Sequence, residues 1–434
     1  MFQSTSPRAF IARPLMLAGL SLFAVVCASI SPARAQCQNA HGQDDPAYPA
    51  LQQAVDAYLA QRQGVEHLTG ISMHISRSAT GPDLDIETGS TGLQTEQPIC
   101  PDTWFQIGSI TKSFTSVMIL QLEAQGILDI HDTLGKWLPQ YPAWSSFTIQ
   151  QLLNMTTTID DYTNDPTFQS DEVAYLQRTW KLPQVVSYVY PGSSEPKPPW
   201  FYSNTDYTLA GMIIAKATHM SYARALKNLL LDPFRLHETY YRAEVPPQRL
   251  LDVMARGYFF ADLCAGQPLP CAEPPVEALY GTDITDSSLS IANANGGIIA
   301  TPRDISRWAR LLFSGDLLPA QQQAELFSLV SQKTGQPIPV TSPADPGGFS
   351  LGVGQNWFPP TAGPLWFYKG DTIGYRFAWF RRDGDDLIVT IAMNSQSEPE
   401  DDLANLYVTV QAILEPKSLV NPDTIAPPAG RAAH

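Results

Sequence analysis

The stretch Gln106–Leu120, "QIGSITKSFTSVMIL", places two polar residues near the start of an otherwise apolar helix. Ser109 and Lys112 are three residues apart, a spacing that puts both on one face of a helix. Phe114 and Val117 follow on turns that we predict to be buried. An amine beside such neighbours loses hydration, which costs free energy unless the amine has a function. Ser109 and Lys112 are therefore candidate site residues; the alternative is a surface serine and a lysine that reaches solvent.

Two more stretches strengthen this interpretation. The segment "FYSNTDY" contains Tyr202 and Asn204, separated by Ser203. The segment "YKGDTIGYRF", on a predicted strand, begins at Tyr368. The chain order of the three motifs is more specific than any one of them.

With these motifs the chain resembles the serine β-lactamases and penicillin-binding proteins, especially class C β-lactamases, DD-carboxypeptidases and their esterase relatives. The resemblance covers roughly residues 51–415. Further stretches that carry it are "GILDIHDTLGKWLP", "TIQQLLNMTT", "SYARALKNLLLDPF" and "ANGGIIATPRDISRWARLL". It implies an α+β fold of the β-lactamase/transpeptidase type. In that fold an antiparallel sheet is flanked by helices, a second lobe is mainly helical, and the active site lies in the cleft between them.

The resemblance also implies roles for the motif residues. Ser109 would be the nucleophile, activated by a base within hydrogen-bond reach. Lys112 could be that base if burial and the helix N-terminus lower its pKa. Tyr202 could also be the base, either as a phenolate or by sharing a proton with Lys112. Which of the two takes the proton stays open. Asn204 would bond Lys112 and the amide of the substrate; the alternative is a turn asparagine that caps the next helix.

The third motif departs from the family pattern, which is Lys-Thr-Gly or His-x-Gly. Side chains alternate along a strand, so Tyr368 and Gly370 would face the cleft and Lys369 would face away. The amide of Asp371 would join that of Ser109 in an oxyanion hole. A shift by one residue would turn Lys369 inward and is the alternative.

This departure affects the expected substrate. A tyrosine offers only a neutral hydrogen bond to a substrate carboxylate. Arg376 or Arg381 could compensate, although both are more simply interpreted as solvated strand residues. The motif therefore weakens the case for β-lactam or carboxypeptidase substrates and leaves the acyl-enzyme mechanism intact.

Composition restricts the remaining function classes. The 434 residues carry 27 Lys and Arg against 42 Asp and Glu, a net charge of −15. Such an acidic chain repels nucleic acid, so we expect a small-molecule or peptide substrate and no nucleic-acid partner. The scattered histidines do not resemble a zinc site, and we expect neither a metal nor a cofactor. The sequence does not indicate an oligomeric state.

The N-terminus has the pattern of a secretory signal peptide. Arg8 and Arg13 precede the apolar run "PLMLAGLSLFAVVCASI", and "ARA" ends at Ala35. We predict cleavage after Ala35; the alternative, a transmembrane anchor, needs a longer apolar run. Export to the periplasm or medium follows, without a stable membrane anchor.

Four cysteines remain after this cleavage site: Cys37, Cys100, Cys264 and Cys271. An even count in an exported protein suggests disulfides, with three possible pairings. Cys264 with Cys271 closes a short loop and is the favoured pair, which would leave Cys37 to bond Cys100; four free thiols are the alternative.

The predicted organisation is one hydrolase domain, residues 36–415, with an irregular insertion at 262–290. Helices are expected at "PALQQAVDAYLAQR", from Ser109 to Gly126, and at "DDLANLYVTVQAILE", with a β-hairpin after the first. The sheet lobe would comprise residues 36–110 and 297–415, and the helical lobe residues 111–296. The tail, residues 416–434, is expected to be disordered.

These observations predict an exported serine hydrolase that acts through an acyl-enzyme. Its substrate would be an ester or amide, including cell-wall peptides of D-amino acids. A β-lactamase proper and a non-catalytic homologue that binds cell-wall peptides are the alternatives.

Overall fold

The computed structural model describes residues 37, 40–77, 81–95, 97–241, 244–259, 279–361, 363–383, 386–396 and 403–415. The predicted signal peptide, the Cys264–Cys271 pair and the predicted tail lie outside these residues, as does most of the predicted insertion.

The strands in the described ranges follow in chain order. They are β1 (Gly70–Ser76), β2 (Leu84–Gly89), β3 (Phe105–Gln106), β4 (Thr239–Tyr241), β5 (Tyr258–Phe259), β6 (Ile298–Ala300), β7 (Leu329–Ser331), β8 (Pro337–Ile338), β9 (Gly347–Phe349), β10 (Gly354–Phe358), β11 (Gly363–Thr372), β12 (Tyr375–Arg382), β13 (Ile388–Met393) and β14 (Ser395–Gln396).

The helices are given in the same way. They are α1 (Tyr48–Glu66), α2 (Thr111–Ala124), α3 (Leu134–Trp137), α4 (Ile149–Asn154), α5 (Pro166–Ala174), α6 (Leu182–Val186), α7 (Asn204–Thr218), α8 (Tyr222–Leu226), α9 (Gln248–Leu251), α10 (Asn293–Gly296), α11 (Pro302–Ser314), α12 (Ala320–Leu326) and α13 (Leu403–Leu414).

The main sheet joins distant parts of the chain. Among the described residues its order is β2-β1-β13-β12-β11-β10-β9-β7-β8, and each neighbouring pair is antiparallel. The hairpin of β1 and β2, predicted from its alternation, therefore pairs with β13 near the other end of the chain. A smaller sheet, β3-β6-β4, leads into the segment around Ser109.

Two apolar cores lie on the two faces of the main sheet. One contains residues of α1 and α13, such as Val55 and Tyr407, packed on β1, β2, β12 and β13. The other surrounds α2 and continues through α7, α10 and α11. Phe114 and Trp308 stack there with ring centroids 3.8 Å apart, which joins α2 to α11. This second core buries the helix that carries Lys112.

Local structure near the N-terminus and around Ser109 refines two predictions. Cys37 and Cys100 form a disulfide, as predicted for these two cysteines. The helix predicted from Ser109 to Gly126 consists of a 3-10 turn, Gly108–Ile110, followed by α2, which ends at Ala124. The turn arises because Gly108 has a φ of +49°, a conformation that favours glycine.

Candidate active site

Ser109 occupies the turn between β3 and α2. The structure leaves little room behind this turn, since a Cβ added at Gly108 would lie 2.8 Å from the amide nitrogen of Asp371. The serine is therefore held where the strand edge of β11 meets the N-terminus of α2. Backbone amides point outward at such a terminus and favour negative charge.

Lys112 is completely buried on the first turn of α2. Its Nζ donates hydrogen bonds to Ser109 Oγ at 2.9 Å, to Asn204 Oδ1 at 2.7 Å and to the carbonyl oxygen of Asn295 at 2.9 Å. Burial lowers the pKa of Lys112 to about 7, because an ammonium group loses hydration there. The carboxylate of Asp161 acts in the opposite direction. A substantial fraction of the amine is therefore neutral at pH 7.

Tyr202 approaches the same serine from another segment. Its hydroxyl donates to Ser109 Oγ at 2.7 Å, and its ring centroid lies 4.9 Å from Lys112 Nζ. Burial raises the pKa of Tyr202 well above its ordinary value. The phenol therefore keeps its proton at neutral pH, which favours the amine over a phenolate as the resting base.

Asn204 begins α7 and connects Lys112 to a buried carboxylate. Its Oδ1 accepts from Lys112, and its Nδ2 donates to Asp161 Oδ2 at 2.9 Å. Asp161 is only 5% exposed, and burial raises the pKa of its carboxyl. Our sequence interpretation did not assign Asp161 a role. Its only local signal was a pair of adjacent acidic residues, Asp160 and Asp161, in the loop "TTTIDDY".

Asn295 is a second residue that sequence reasoning missed. Its carbonyl oxygen accepts from Lys112, and its Nδ2 donates to the hydroxyl of Tyr162 at 2.9 Å and to Thr208 Oγ1 at 3.1 Å. It lies in α10, within the stretch "NANGG". A backbone acceptor leaves no signature in residue type, so no pattern could have revealed it.

The third motif lies on β11 with alternating exposure. Tyr368 is 4% exposed, whereas the side chains of Lys369 and Asp371 are 41% and 39% exposed and pair with each other at 3.3 Å. The structure therefore has Tyr368 inward and Lys369 outward. The Tyr368 hydroxyl lies close to Tyr202, and both burial and that neighbour raise the pKa of Tyr368.

Gly370 lets the strand touch the nucleophile turn. An added Cβ there would lie 1.9 Å from the carbonyl oxygen of Ile107 and 2.8 Å from the amide nitrogen of Ser109. Only a residue without a side chain fits. This contact brings the backbone of residues 370–371 against that of residues 107–109, the arrangement that a two-amide oxyanion hole requires.

The two arginines considered as carboxylate ligands lie elsewhere. Arg376 is 1% exposed and forms an ion pair with Glu66, so its interpretation as a solvated strand residue is wrong. The carbonyl oxygen of Ser395 accepts from its Nε at 3.0 Å. Arg381 lies over the ring of Phe313, 4.2 Å from the centroid. The pairing partner of Arg376 lies at the C-terminal end of α1, away from the residues around Ser109.

Two properties of the described residues concern metal binding and membrane insertion. No group of three or more His, Cys, Asp or Glu side chains there could hold a metal ion. In the same residues no helix has both the length and the apolar character that a bilayer span requires.

Comparison with known proteins settles the family. A sequence model of the family described as Beta-lactamase matches residues 53–413. The chain belongs to the beta-lactamase family. Members of this family are serine hydrolases, in agreement with the predicted enzyme class, and the predicted resemblance and α+β fold are confirmed.

Individual relatives of this beta-lactamase family chain are distant. Penicillin-binding protein 4* of Bacillus subtilis (strain 168) is 29% identical over 253 residues, which cover 58% of this chain and 54% of that protein. The chain thus spans about half the length of the relatives it matches.

Solved structures extend the likeness in fold. A D-stereospecific amidohydrolase from Streptomyces sp. is similar with a TM-score of 0.66 and 24% identity, covering 85% of this chain and 99% of that one. The D-amino acid amidase from Ochrobactrum anthropi SV3, complexed with D-phenylalanine, has a TM-score of 0.68 at 22% identity, with the same coverage. At these identities the likeness concerns the fold.

Proposed function

We propose that this protein is an exported serine hydrolase that cleaves an ester or amide through an acyl-enzyme on Ser109. One observation carries the proposal: Ser109 Oγ lies within hydrogen-bond distance of both Lys112 Nζ, at 2.9 Å, and the Tyr202 hydroxyl, at 2.7 Å. A serine hydroxyl needs a base at such a distance to become a nucleophile.

Acylation begins with proton transfer from Ser109 to the neutral amine of Lys112. Oγ then bonds the substrate carbonyl carbon, and the carbonyl oxygen becomes an oxyanion. The amides of Ser109 and Asp371 stabilise that charge; such a donor is worth about 10²–10³ in rate. Tyr202 gives its proton to the leaving amine or alcohol and is reprotonated from Lys112, so the serine proton ends on the leaving group.

Deacylation reverses these transfers with water as the nucleophile. Water loses a proton to Lys112, attacks the acyl carbon, and Ser109 regains a proton as its ester bond breaks. No further carboxylate is required, since Lys112 and Tyr202 act in both halves. Asn204 holds the amine between Asp161 and Ser109.

The residues of β11 that face the site favour substrates without a carboxylate, because no cation among the described residues of this strand faces inward to bind one. Tyr368 occupies the place where the family has an inward lysine or histidine, and Lys369 pairs with Asp371 instead. A neutral phenol binds a substrate carboxylate weakly compared with a cation. Esters and amides fit this site better than β-lactams or peptides with a free carboxylate. Two solved structures of similar fold are named a D-stereospecific amidohydrolase and a D-amino acid amidase, which makes D-amino acid amides the favoured amides.

Intact-mass spectrometry and turnover assays test the function. The protein is incubated separately with a fluorophosphonate, p-nitrophenyl acetate, a D-amino acid amide and a penicillin. We expect an adduct from the fluorophosphonate and turnover of the ester or amide, both lost in Ser109→Ala. Ser116→Ala is the matched control, because it removes a hydroxyl from the same helix that bonds Tyr207 instead of Lys112.

The other outcomes identify the alternatives. Rapid penicillin hydrolysis would favour a β-lactamase proper. Inertness to all four reagents, with Ser109→Ala indistinguishable from the parent, would favour a non-catalytic peptide-binding homologue.

Export is part of the proposal and has its own support. Cys37 and Cys100 are bonded, and disulfides persist in oxidising compartments outside the cytosol. We expect the protein in the periplasm or medium, with Gln36 as its first residue. N-terminal mass analysis after cell fractionation checks this; a full-length cytosolic chain would contradict it.

A further inference from the structure

A small cavity close to the nucleophile has no role in the steps above. Its volume is about 40 Å³, and its wall includes Gln106, Glu172, Trp180, Leu289 and Ile373. Since one water needs roughly 10–15 Å³ on this measure, the cavity holds about three non-hydrogen atoms. It therefore suits a short, unbranched group and excludes an aromatic ring.

Chain connectivity places this cavity beside the reaction centre. Gln106 precedes Ser109 by three residues, so their Cα atoms are at most about 11 Å apart. Ile373 follows Asp371 by two residues, at most about 7 Å away. Both ends of the proposed oxyanion hole thus continue along the chain into the cavity wall within a few residues.

Two polar groups of the wall lack protein partners among the described residues. The carboxylate of Glu172, on α5, forms no ion pair or hydrogen bond there. Arg178, on the segment that follows, stacks on the rings of Tyr175 and Trp180 instead. Gln106 is 1% exposed, and its Nε2 makes no hydrogen bond in the described ranges.

Within the described ranges the carboxylate of Glu172 has no positive charge beside it that would stabilise its ionised form. Burial raises the pKa of Glu172 to about 7, and no opposing charge lowers it. Glu172 is partly exposed in the described structure, and a carboxylate without an opposite charge beside it is stabilised when a cation arrives. The oxygen of the Gln106 amide can accept a hydrogen bond from that cation, whereas its Nε2, unpartnered among the described residues, is a donor and cannot. The rest of the lining is largely apolar, which fits the methylene groups of a short chain.

We propose that this cavity binds a primary ammonium group carried on a short acyl chain of the substrate, with Glu172 as its counterion and Gln106 as a further hydrogen-bond partner. The inference rests on the proposed function and specifies its substrate class. The enzyme would therefore recognise a positive charge on the acyl part of the substrate. It would not recognise a carboxylate on the leaving group, because β11 has the neutral Tyr368 where a cation would be needed.

Two pairs of p-nitrophenyl esters test the proposal at pH 7. Glycine is compared with propionate and β-alanine with butyrate, because each pair exchanges an ammonium for a methyl group of similar size. We expect kcat/KM to favour the ammonium member of at least one pair by about tenfold, the size of a charged hydrogen bond. Glu172→Gln should abolish the preference and leave turnover of the neutral esters unchanged.

A matched variant separates local contact from general charge. Asp171→Asn removes the same charge from the neighbouring position of α5, where the carboxylate bonds the hydroxyl of Tyr188. It should keep the ammonium preference. Retention of the preference in Glu172→Gln, or its equal loss in Asp171→Asn, would overturn the proposal.

The neutral esters distinguish this inference from the function itself. Hydrolysis of propionate and butyrate esters that depends on Ser109, without any preference for ammonium, would refute the ammonium site alone. Failure to hydrolyse any of the four esters would refute the ester-hydrolase function and this inference together.

Discussion

In the proposed mechanism Lys112 activates the serine, and its buried amine contacts three oxygen atoms instead of water. Burial favours the neutral form, whereas the carboxylate of Asp161, reached through Asn204, favours the ammonium. The balance brings the pKa of Lys112 to about 7. Efficient general bases have pKa values close to the working pH. A buried lysine with a single indirect counterion therefore suits the proposed proton transfer.

The first prediction is a pH profile. In the proposed mechanism the neutral amine of Lys112 is the base. Because the pKa of Lys112 is about 7, kcat/KM for a neutral ester should rise through pH 7 and level off above it. In Lys112→Arg the side chain stays charged, and the rate should fall by about 10²–10⁴. Steady-state kinetics from pH 5 to 9 measure both. Lys227→Arg, at an exposed site, is the control; an unchanged profile in Lys112→Arg would exclude the amine as base.

The second prediction concerns Asp161. Replacing it with Asn removes the charge that raises the pKa of Lys112, so the acidic limb of the profile should move to lower pH. The rate at high pH should fall about tenfold, since Asn204 loses its charged acceptor and the amine is held less firmly. Asp160→Asn is the matched control, because the Asp160 carboxylate forms an ion pair with Lys197 and not with the Asn204–Lys112 pair. An acidic limb that stays at the same pH, or moves to higher pH, would contradict this effect of Asp161 on the pKa of Lys112.

At the scale of elements, pairing of β11 with β12 decides which motif side chains face the serine. Tyr368 lies opposite Trp379 and Gly370 opposite Phe377, both buried residues of β12. A shift by one residue would bury Lys369 and Asp371. The apolar core under β12 therefore excludes the register with an inward lysine.

The third prediction tests the contact between β11 and the nucleophile turn. In Gly370→Ala the new methyl group collides with the carbonyl of Ile107. Relief must separate the strand from the turn, and kcat should fall by about 10²–10³, the value of an oxyanion donor. Overpacking should also cost about 1–3 kcal/mol of unfolding free energy.

Its control lies on the same strand. A Cβ at Gly363 would have its nearest neighbour at 3.8 Å, so Gly363→Ala should change neither kcat nor stability appreciably. Kinetics and urea denaturation of both variants give the comparison. Full activity in Gly370→Ala would show that the strand does not shape the oxyanion hole.

At the scale of the whole molecule, one buried ion pair ties α1 to the sheet. Glu66 and Arg376 are 2% and 1% exposed and are 310 residues apart in the chain. Arg376 also donates to Ser395, and Ser395 Oγ donates to the carbonyl of Glu66. The network thereby joins the N-terminal helix to strands that form near the other end of the chain.

The fourth prediction follows from that network. Arg376→Met leaves Arg62 as the remaining ionic partner of the buried Glu66 carboxylate, and we expect a loss of about 1.5–3 kcal/mol in unfolding free energy, the size of a hydrogen bond to a charged group. The double variant Glu66→Gln with Arg376→Met should recover most of that loss, since no buried charge remains. Urea denaturation at pH 7 measures both. A double variant as unstable as the single one would show that packing, rather than charge, is responsible.

Patterns of short range predicted much of this molecule. The spacing of Ser109 and Lys112, and the alternation along β1, β11 and β12, depend only on the geometry of one helix or strand. That geometry is the same wherever the element lies. The order of the three motifs then carried the resemblance to a family whose membership the comparisons confirm. The roles of Ser109, Lys112 and Tyr202 stay predictions until the assays above are made.

By itself, therefore, the sequence determined the family, the α+β fold and the residue types that meet at the site. Only the tertiary structure decided the surroundings of those residues. Asp161 reaches Asn204 across 43 residues, Asn295 reaches Lys112 across 183, and Arg376 is buried rather than solvated. Such contacts depend on how helices and strands pack, and burial sets the pKa values of the groups involved. A local pattern reports spacing within one element and carries no information about which distant oxygen atom comes to rest beside a buried amine.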